Sequence, residues 1–209
     1  MNWGSIIDKL EVIGTAFGAA IFTGYVAYKT FNSKLEEWSR NEKGNVSKNI
    51  TKQSKLDEQI LREAEKLKEL SGADRIHVHE FHNGVHYANG RSALKTSCTY
   101  EVCRYGISPC SNLFSDIPLS VISKFINSLL DEGELFVKNI EEIKELMPST
   151  YSLKKSIGVM SFYDVVIYND KNEPVGFVGV QFCGENKKKI DKDSIKKFAW
   201  FVESKLSEM

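Results

Sequence analysis

All four histidines of the chain fall within ten residues: His77, His79, His82 and His86. On a strand, side chains alternate, so His77 and His79 share one face and His82 takes the other. Two imidazoles at i, i+2 can share a metal ion. His86 can reach back across an Asn83-Gly84 turn, and Cys98 on a neighbouring strand can add a thiolate. The spacing matches no standard zinc pattern, so no metal site is expected. The simpler reading puts His77 and His79 on a half-exposed strand face, with His82 bonded to the turn. Cys98, Cys103 and Cys110 stand at C-x4-C-x6-C, a set able to carry thiol–disulfide exchange. The alternative is that they are small buried residues in a reduced cytoplasm.

A third group is polar and aromatic: Phe81, His82, Asn83, Gly84, Tyr100 and Glu101. Asn-Gly suits a tight turn with positive φ. The functional reading places His82, Tyr100 and Glu101 around a pocket between a sheet and a helical middle segment, where their donors and acceptors orient a small polar ligand. There is no phosphate-binding glycine loop, nucleophile elbow, H-E-x-x-H or dinucleotide fingerprint. That weighs against an enzyme.

These residues need elements to hold them. Leu56, Ile60, Ala64, Leu67 and Leu70 recur at helical spacing, and the pattern predicts a helix ending near Gly72. A strand follows over about 75–82, broken by Asn83-Gly84; Ala88-Asn89-Gly90 is a second turn. Thr96 to Val102 reads as a strand. Asp116-Ile117-Pro118 looks like a helix start, with Leu119, Ile122, Ile126 and Leu129 as the buried stripe. Residues 134–137 suggest a short strand, and 140–147 a short helix stopped by Pro148. Strands over 158–167 and 175–183 flank a hairpin loop, and a last helix is capped by Asp191 or Asp193. Its apolar face is Ile195, Phe198, Ala199, Val202 and Leu206. The order predicts an α+β domain: an antiparallel sheet with the first and last helices on one face.

The 209 residues carry 28 basic and 28 acidic side chains, so no bulk charge favours nucleic acid, and no nucleic-acid partner is expected. Hydrophobic residues at 42% exclude global disorder, and four cysteines do not make a disulfide scaffold.

The first 31 residues differ from the rest. Val12 to Tyr28 is an uncharged run of 17, at the short end for a transmembrane helix. Trp3, Tyr25 and Tyr28 sit where interfacial aromatics belong. The basic excess lies after the run, in residues 29–55, which orients the N-terminus outside and the rest in the cytoplasm. Gly14 and Gly18 form a small-xxx-small pair that suits helix self-association in lipid. A signal peptide and a buried core helix are the rival readings. The organisation expected is a membrane helix over 1–31, a polar basic linker over 32–55 and a domain over 56–209. Lys187, Lys188, Lys189, Lys192, Lys196 and Lys197 form a basic run that is either a solvated helix start or a contact for anionic lipid.

The order of elements resembles a GAF domain, the small-molecule sensor fold related to PAS domains. The segments GVMSFYDVVIYNDKNEPVGFVGVQF and DKDSIKKFAWFVESKL carry the resemblance, which covers about residues 52–209. DRIHVHEFHNG and NGRSALKTSCTYEVCRYGIS are similar to uncharacterised membrane-anchored GAF-like proteins, several from bacteriophages. The matching positions are Phe81, His82, Asn83, Gly84, Gly90, Ser97, Cys98, Thr99, Tyr100 and Glu101. This implies shared structure around the first two strands and names no reaction. Free-methionine sulfoxide reductases are GAF-type enzymes with clustered cysteines, but the spacing here departs from theirs.

The resemblance implies a membrane-anchored, GAF-like antiparallel sheet flanked by helices that binds a small molecule, as a sensor or a sequestering protein. The cofactor stays unknown. The partners expected are the membrane, a small-molecule ligand and a second copy through Gly14, Gly18 and the linker helix. With no output domain in view, a signal would pass through association. The alternative is a non-catalytic membrane-anchored scaffold with a filled GAF-like core. A thiol- or metal-dependent enzyme is the minor alternative.

Overall fold

Leu56, Ile60, Ala64 and Leu67 are all buried, as their spacing requires, whereas Leu70 is 74% exposed and lies off the stripe. They belong to a helix over residues 49–71, α1, which ends at Gly72 with φ 66°. The computed structural model describes residues 27–34, 49–184 and 190–208. A contact boundary falls after Lys52, and Gln53–Met209 is the folded unit treated below. Residues 27–34 are helical. The expected membrane helix, Gly14, Gly18, most of the linker and Lys187 to Lys189 lie outside the described residues. Among the described residues, no helix is long and apolar enough to cross a membrane.

After α1 come β1 (Arg75–His86), β2 (Ser92–Cys103), β3 (Ile117–Pro118), α2 (Ser123–Glu132), β4 (Glu134–Val137), α3 (Pro148–Ser156), β5 (Ser161–Tyr168), β6 (Pro174–Phe182) and α4 (Lys192–Leu206). The six strands form one antiparallel sheet in the order β3-β2-β1-β6-β5-β4. The architecture is α+β, an antiparallel sheet flanked by helices. One apolar cluster joins Ile60, Ala64 and Leu67 of α1 and Ile195, Phe198 and Val202 of α4 to one sheet face. A second joins Phe125, Ile126 and Leu129 of α2 to Phe162, Val166 and Phe177 on the opposite face. Both faces of the central strands are therefore dry.

Three local expectations are corrected. β1 does not break at Asn83-Gly84 but runs on to His86, with an irregular register between Asn83 and His86. Gly84 is needed because a Cβ there would lie 2.6 Å from the Ala93 carbonyl oxygen. Ile117-Pro118 pairs with Lys95 and Thr96 as a strand, so α2 starts only at Ser123. Pro148 does not stop a helix. It opens α3, where the missing N–H costs nothing, while Ile140–Ile143 is a single 3-10 turn.

Candidate functional site

Alternation along β1 sends Arg75, His77 and His79 to the face covered by α2 and α3. None of the three is more than 6% exposed, which corrects the half-exposed face expected for the two histidines. Arg75 is fully enclosed. Its Nε lies 2.8 Å from Glu101 Oε1, Nη1 donates to Gln181 Oε1 at 2.7 Å, and Nη2 donates to the Ser108 carbonyl at 2.9 Å. Glu101 also accepts from the Cys110 and Ser111 N–H groups and from the Cys110 thiol. Burial pushes its carboxyl up, but these donors and Arg75 hold it below its ordinary range. The group fastens the segment after β2 to the sheet.

Beside it, Asp164 on β5 is completely buried between the Lys154 ammonium and the His77 imidazole. Lys154 Nζ of α3 donates to Oδ2 at 3.2 Å, and His77 Nε2 lies 3.2 Å from Oδ1. Burial opposes the Asp164 charge, yet Lys154 and His77 keep its pKa low. His77 is lowered, chiefly because burial disfavours the imidazolium, with Asp164 working against the shift. His79 is lowered well below its ordinary value by burial, and then by His77 and Lys154. Lys154 Nζ also sits 3.9 Å over the Phe162 ring. His79 stacks on Phe177, with ring centroids 4.6 Å apart.

A small cavity of about 30 Å³ lies here, lined among others by His79, Thr96, Thr150, Lys154, Phe177 and Gln181. His79 Nδ1 and Thr96 Oγ1 are buried without a hydrogen-bond partner among the described residues. Each unmet group of this kind costs about 1–3 kcal/mol. Ile122 and Thr150 also line an adjoining cleft of about 160 Å³ where α2 and α3 begin. The cavity and the cleft therefore share part of their walls.

The six residues singled out in the sequence do not surround this cavity. Phe81 has its ring centroid 6.1 Å from that of Phe177, which lines the cavity. His82 bonds Ser97 Oγ at 2.9 Å, and Asn83 is exposed opposite Leu94. Tyr100 packs in the α1-side cluster and donates to Asp57 at 2.6 Å. Glu101 is taken up by Arg75 and the Cys110 segment. Tyr100 and Glu101 instead border an open cleft of about 660 Å³ with Asp57 and Glu80. His82 does not line that cleft, and Tyr100 and Glu101, as adjacent strand positions, belong to opposite faces of the sheet.

His86 is exposed and contacts Ser92, so it does not reach back towards His77 and His79. Among the described residues, no group of three or more His, Cys, Asp or Glu is placed to hold a metal. The cysteines are free thiols. Burial, with Glu101 adding to it, pushes Cys110 up to about 12 and Cys98 higher still. Sequence reasoning missed Thr96, Thr150, Lys154 and Gln181. The available signal was a polar residue inside an otherwise apolar run, as with Gln181 in PVGFVGVQF.

No family model matches the chain, and no curated protein matches it. Solved structures do. GAF3 from Slr1393 of Synechocystis sp. PCC6803, in its photoproduct state, superposes with TM-score 0.55 at 11% identity, covering 73% of this chain and 94% of that one. The PixJ GAF domain of Thermosynechococcus elongatus, in its blue-light absorbing form, gives 0.55 at 13%, covering 76% and 89%. A phycoerythrobilin-bound GAF domain from a cyanobacterial phytochrome gives 0.54 at 14%, covering 73% and 86%. At these identities the likeness establishes the fold.

Proposed function

We propose that this chain is a GAF-like module that binds a small molecule on the α2/α3 side of its sheet, tethered to a membrane by residues 1–31 with the domain in the cytoplasm. It acts as a sensor or as a sequestering protein. The observation that carries the reading is the pair of buried groups unpartnered among the described residues, His79 Nδ1 and Thr96 Oγ1, on a cavity that shares a wall with an open cleft. A fold does not bury such groups at random, because each one left unmet lowers stability. The bilin carried by one of the similar GAF domains is consistent with a ligand on this fold. The ligand here is smaller. A cavity of about 30 Å³ is far below the roughly 300 Å³ or more that encloses a drug-sized molecule. The polar tip of the ligand occupies the cavity and its body lies in the adjoining cleft.

That same volume favours a second reading, the scaffold with a filled core. About 30 Å³ is the space of one water, which would bond both orphan groups. The two readings separate in one experiment. The full chain is extracted gently in maltoside micelles and weighed by native mass spectrometry before and after denaturation. A retained organic mass, absent from a Thr96→Val variant, supports the ligand-binding module. A bare chain whose thermal stability ignores a metabolite panel supports the scaffold. Protease accessibility of the two ends in intact vesicles tests the tether and its orientation.

A further inference from the structure

We propose that the cleft where α2 and α3 begin is a site for an anionic group, a phosphate or a carboxylate. The inference rests on the ligand-binding reading above and adds the charge of the ligand.

Two helix N-termini open onto this one cleft, which is lined by Val121, Ser123, Lys124, Met147, Ser149 and Thr150 among others. Neither helix is capped. Ile122 and Met147 stand at the N-cap positions, offer no side-chain acceptor, and no acidic residue follows in either first turn. The first intrahelical bonds are Ile126 N–H to Ile122 and Tyr151 N–H to Met147. The N–H groups of Ser123, Lys124, Phe125, Ser149 and Thr150 have no backbone acceptor among the described residues. Pro148 has no N–H, so α3 presents two donors and α2 three. Helix geometry directs these groups out of the N-terminus, where the two dipoles place partial positive charge. Unmet N–H donors from two helix starts on the wall of one cleft have the form of an anion site.

Two further observations point to a ligand. Thr150 is only 4% exposed, lines both the cleft and the inner cavity, and its hydroxyl has no hydrogen-bond partner among the described residues. Lys124 is exposed at the cleft and makes no ion pair among the described residues, and no carboxylate lines the cleft. A volume of about 160 Å³ admits several water-sized groups, enough for a phosphate and the atoms joined to it. The anion would sit in the cleft, with the rest of the molecule directed past Ile122 and Thr150 towards Thr96 and His79.

The probe is inorganic phosphate, titrated into the full chain in maltoside micelles at constant ionic strength and followed by amide NMR. We expect saturable shifts at Ser123, Lys124, Ser149 and Thr150. Lys124→Glu, an exposed change that leaves packing intact, should weaken binding at least about tenfold, and Thr150→Val about threefold. Shifts that stay linear, or affinity unchanged by Lys124→Glu, overturn the site. Nanodiscs distinguish the source. Shifts at the same amides when phosphatidylglycerol joins phosphatidylcholine assign a lipid headgroup. Shifts with free phosphate in phosphatidylcholine alone assign a soluble metabolite. Either one supports the anion site. A retained metabolite that Lys124→Glu does not weaken overturns the anion site and leaves the ligand-binding reading standing. Saturable phosphate binding by a chain that retains no metabolite does the reverse.

Discussion

Lys154 Nζ lies 3.2 Å from Asp164 Oδ2, and both side chains are sealed between the sheet and α3. The pair is an obligation more than a source of stability, because both charges have left water. Lys154→Met strands the Asp164 carboxylate and should cost about 3–5 kcal/mol in urea unfolding. Adding Asp164→Asn to it should recover part of that loss, since no bare charge then remains. A double variant no more stable than Lys154→Met alone would show that the pair is not coupled.

Two glycines set the approach of β6 to its neighbours. A Cβ on Gly176 would stand 2.0 Å from the His79 carbonyl oxygen, and one on Gly179 would stand 1.9 Å from Asp164 Oδ1. Backbone in a paired strand cannot yield, so Gly176→Ala should cost about 3 kcal/mol or more, read from thermal unfolding. Gly179→Ala should displace Asp164. Its signature is loss of the coupling between Lys154 and Asp164 in the double-variant comparison.

The buried histidines make stability fall in acid. His77 and His79 are held neutral in the fold, mainly by burial, so the unfolded chain binds more protons as the pH drops through about 6.5. Their contribution is fully present above that pH and is lost progressively below it. His77 faces Asp164, Lys154, Arg75 and the His79 ring, and Asp164 moderates its shift. We expect the His77 and His79 rings to titrate below the ordinary imidazole range in NMR, while the denaturation midpoint declines as the pH falls from 7 to 5. A titration of either ring near its ordinary value would contradict the burial.

Thr96→Val separates stability from function. It replaces an unpartnered hydroxyl with a methyl of the same shape, so the folded chain should be unchanged or up to about 1 kcal/mol more stable. Ligand retention should be lost. A clear loss of stability would mean that the hydroxyl is bonded after all, as the filled-core reading has it.

The thiols should be slow. Burial keeps Cys98 and Cys110 protonated, and their proximity to Glu101 reinforces this. Alkylation by iodoacetamide at neutral pH should lag far behind that of the unfolded chain, and unfolding should restore the normal rate. Fast labelling of native Cys98 would reopen thiol chemistry.

By itself the sequence determined the elements whose signals are local. The stripe from Leu56 to Leu67, the β5–β6 hairpin around Asn169 to Pro174 and an aspartate cap on α4, at Asp191 or Asp193, were all legible, because periodicity and capping act within a few residues; the structure chose Asp191. Tertiary structure decided what depends on a neighbour. Asn83-Gly84 reads locally as a turn, yet β2 approaches so closely that Gly84 serves inside a strand. His77, Lys154 and Asp164 are far apart in the chain and carry no spacing to join them; only the packing of α3 on β5 and β1 makes them one group. The same holds for the candidate site. Thr96, Thr150 and the N-termini of α2 and α3 meet because the sheet brings β2 and the helical segment to one face, and a pattern of period two or 3.6 records which way a side chain points, not what it meets there.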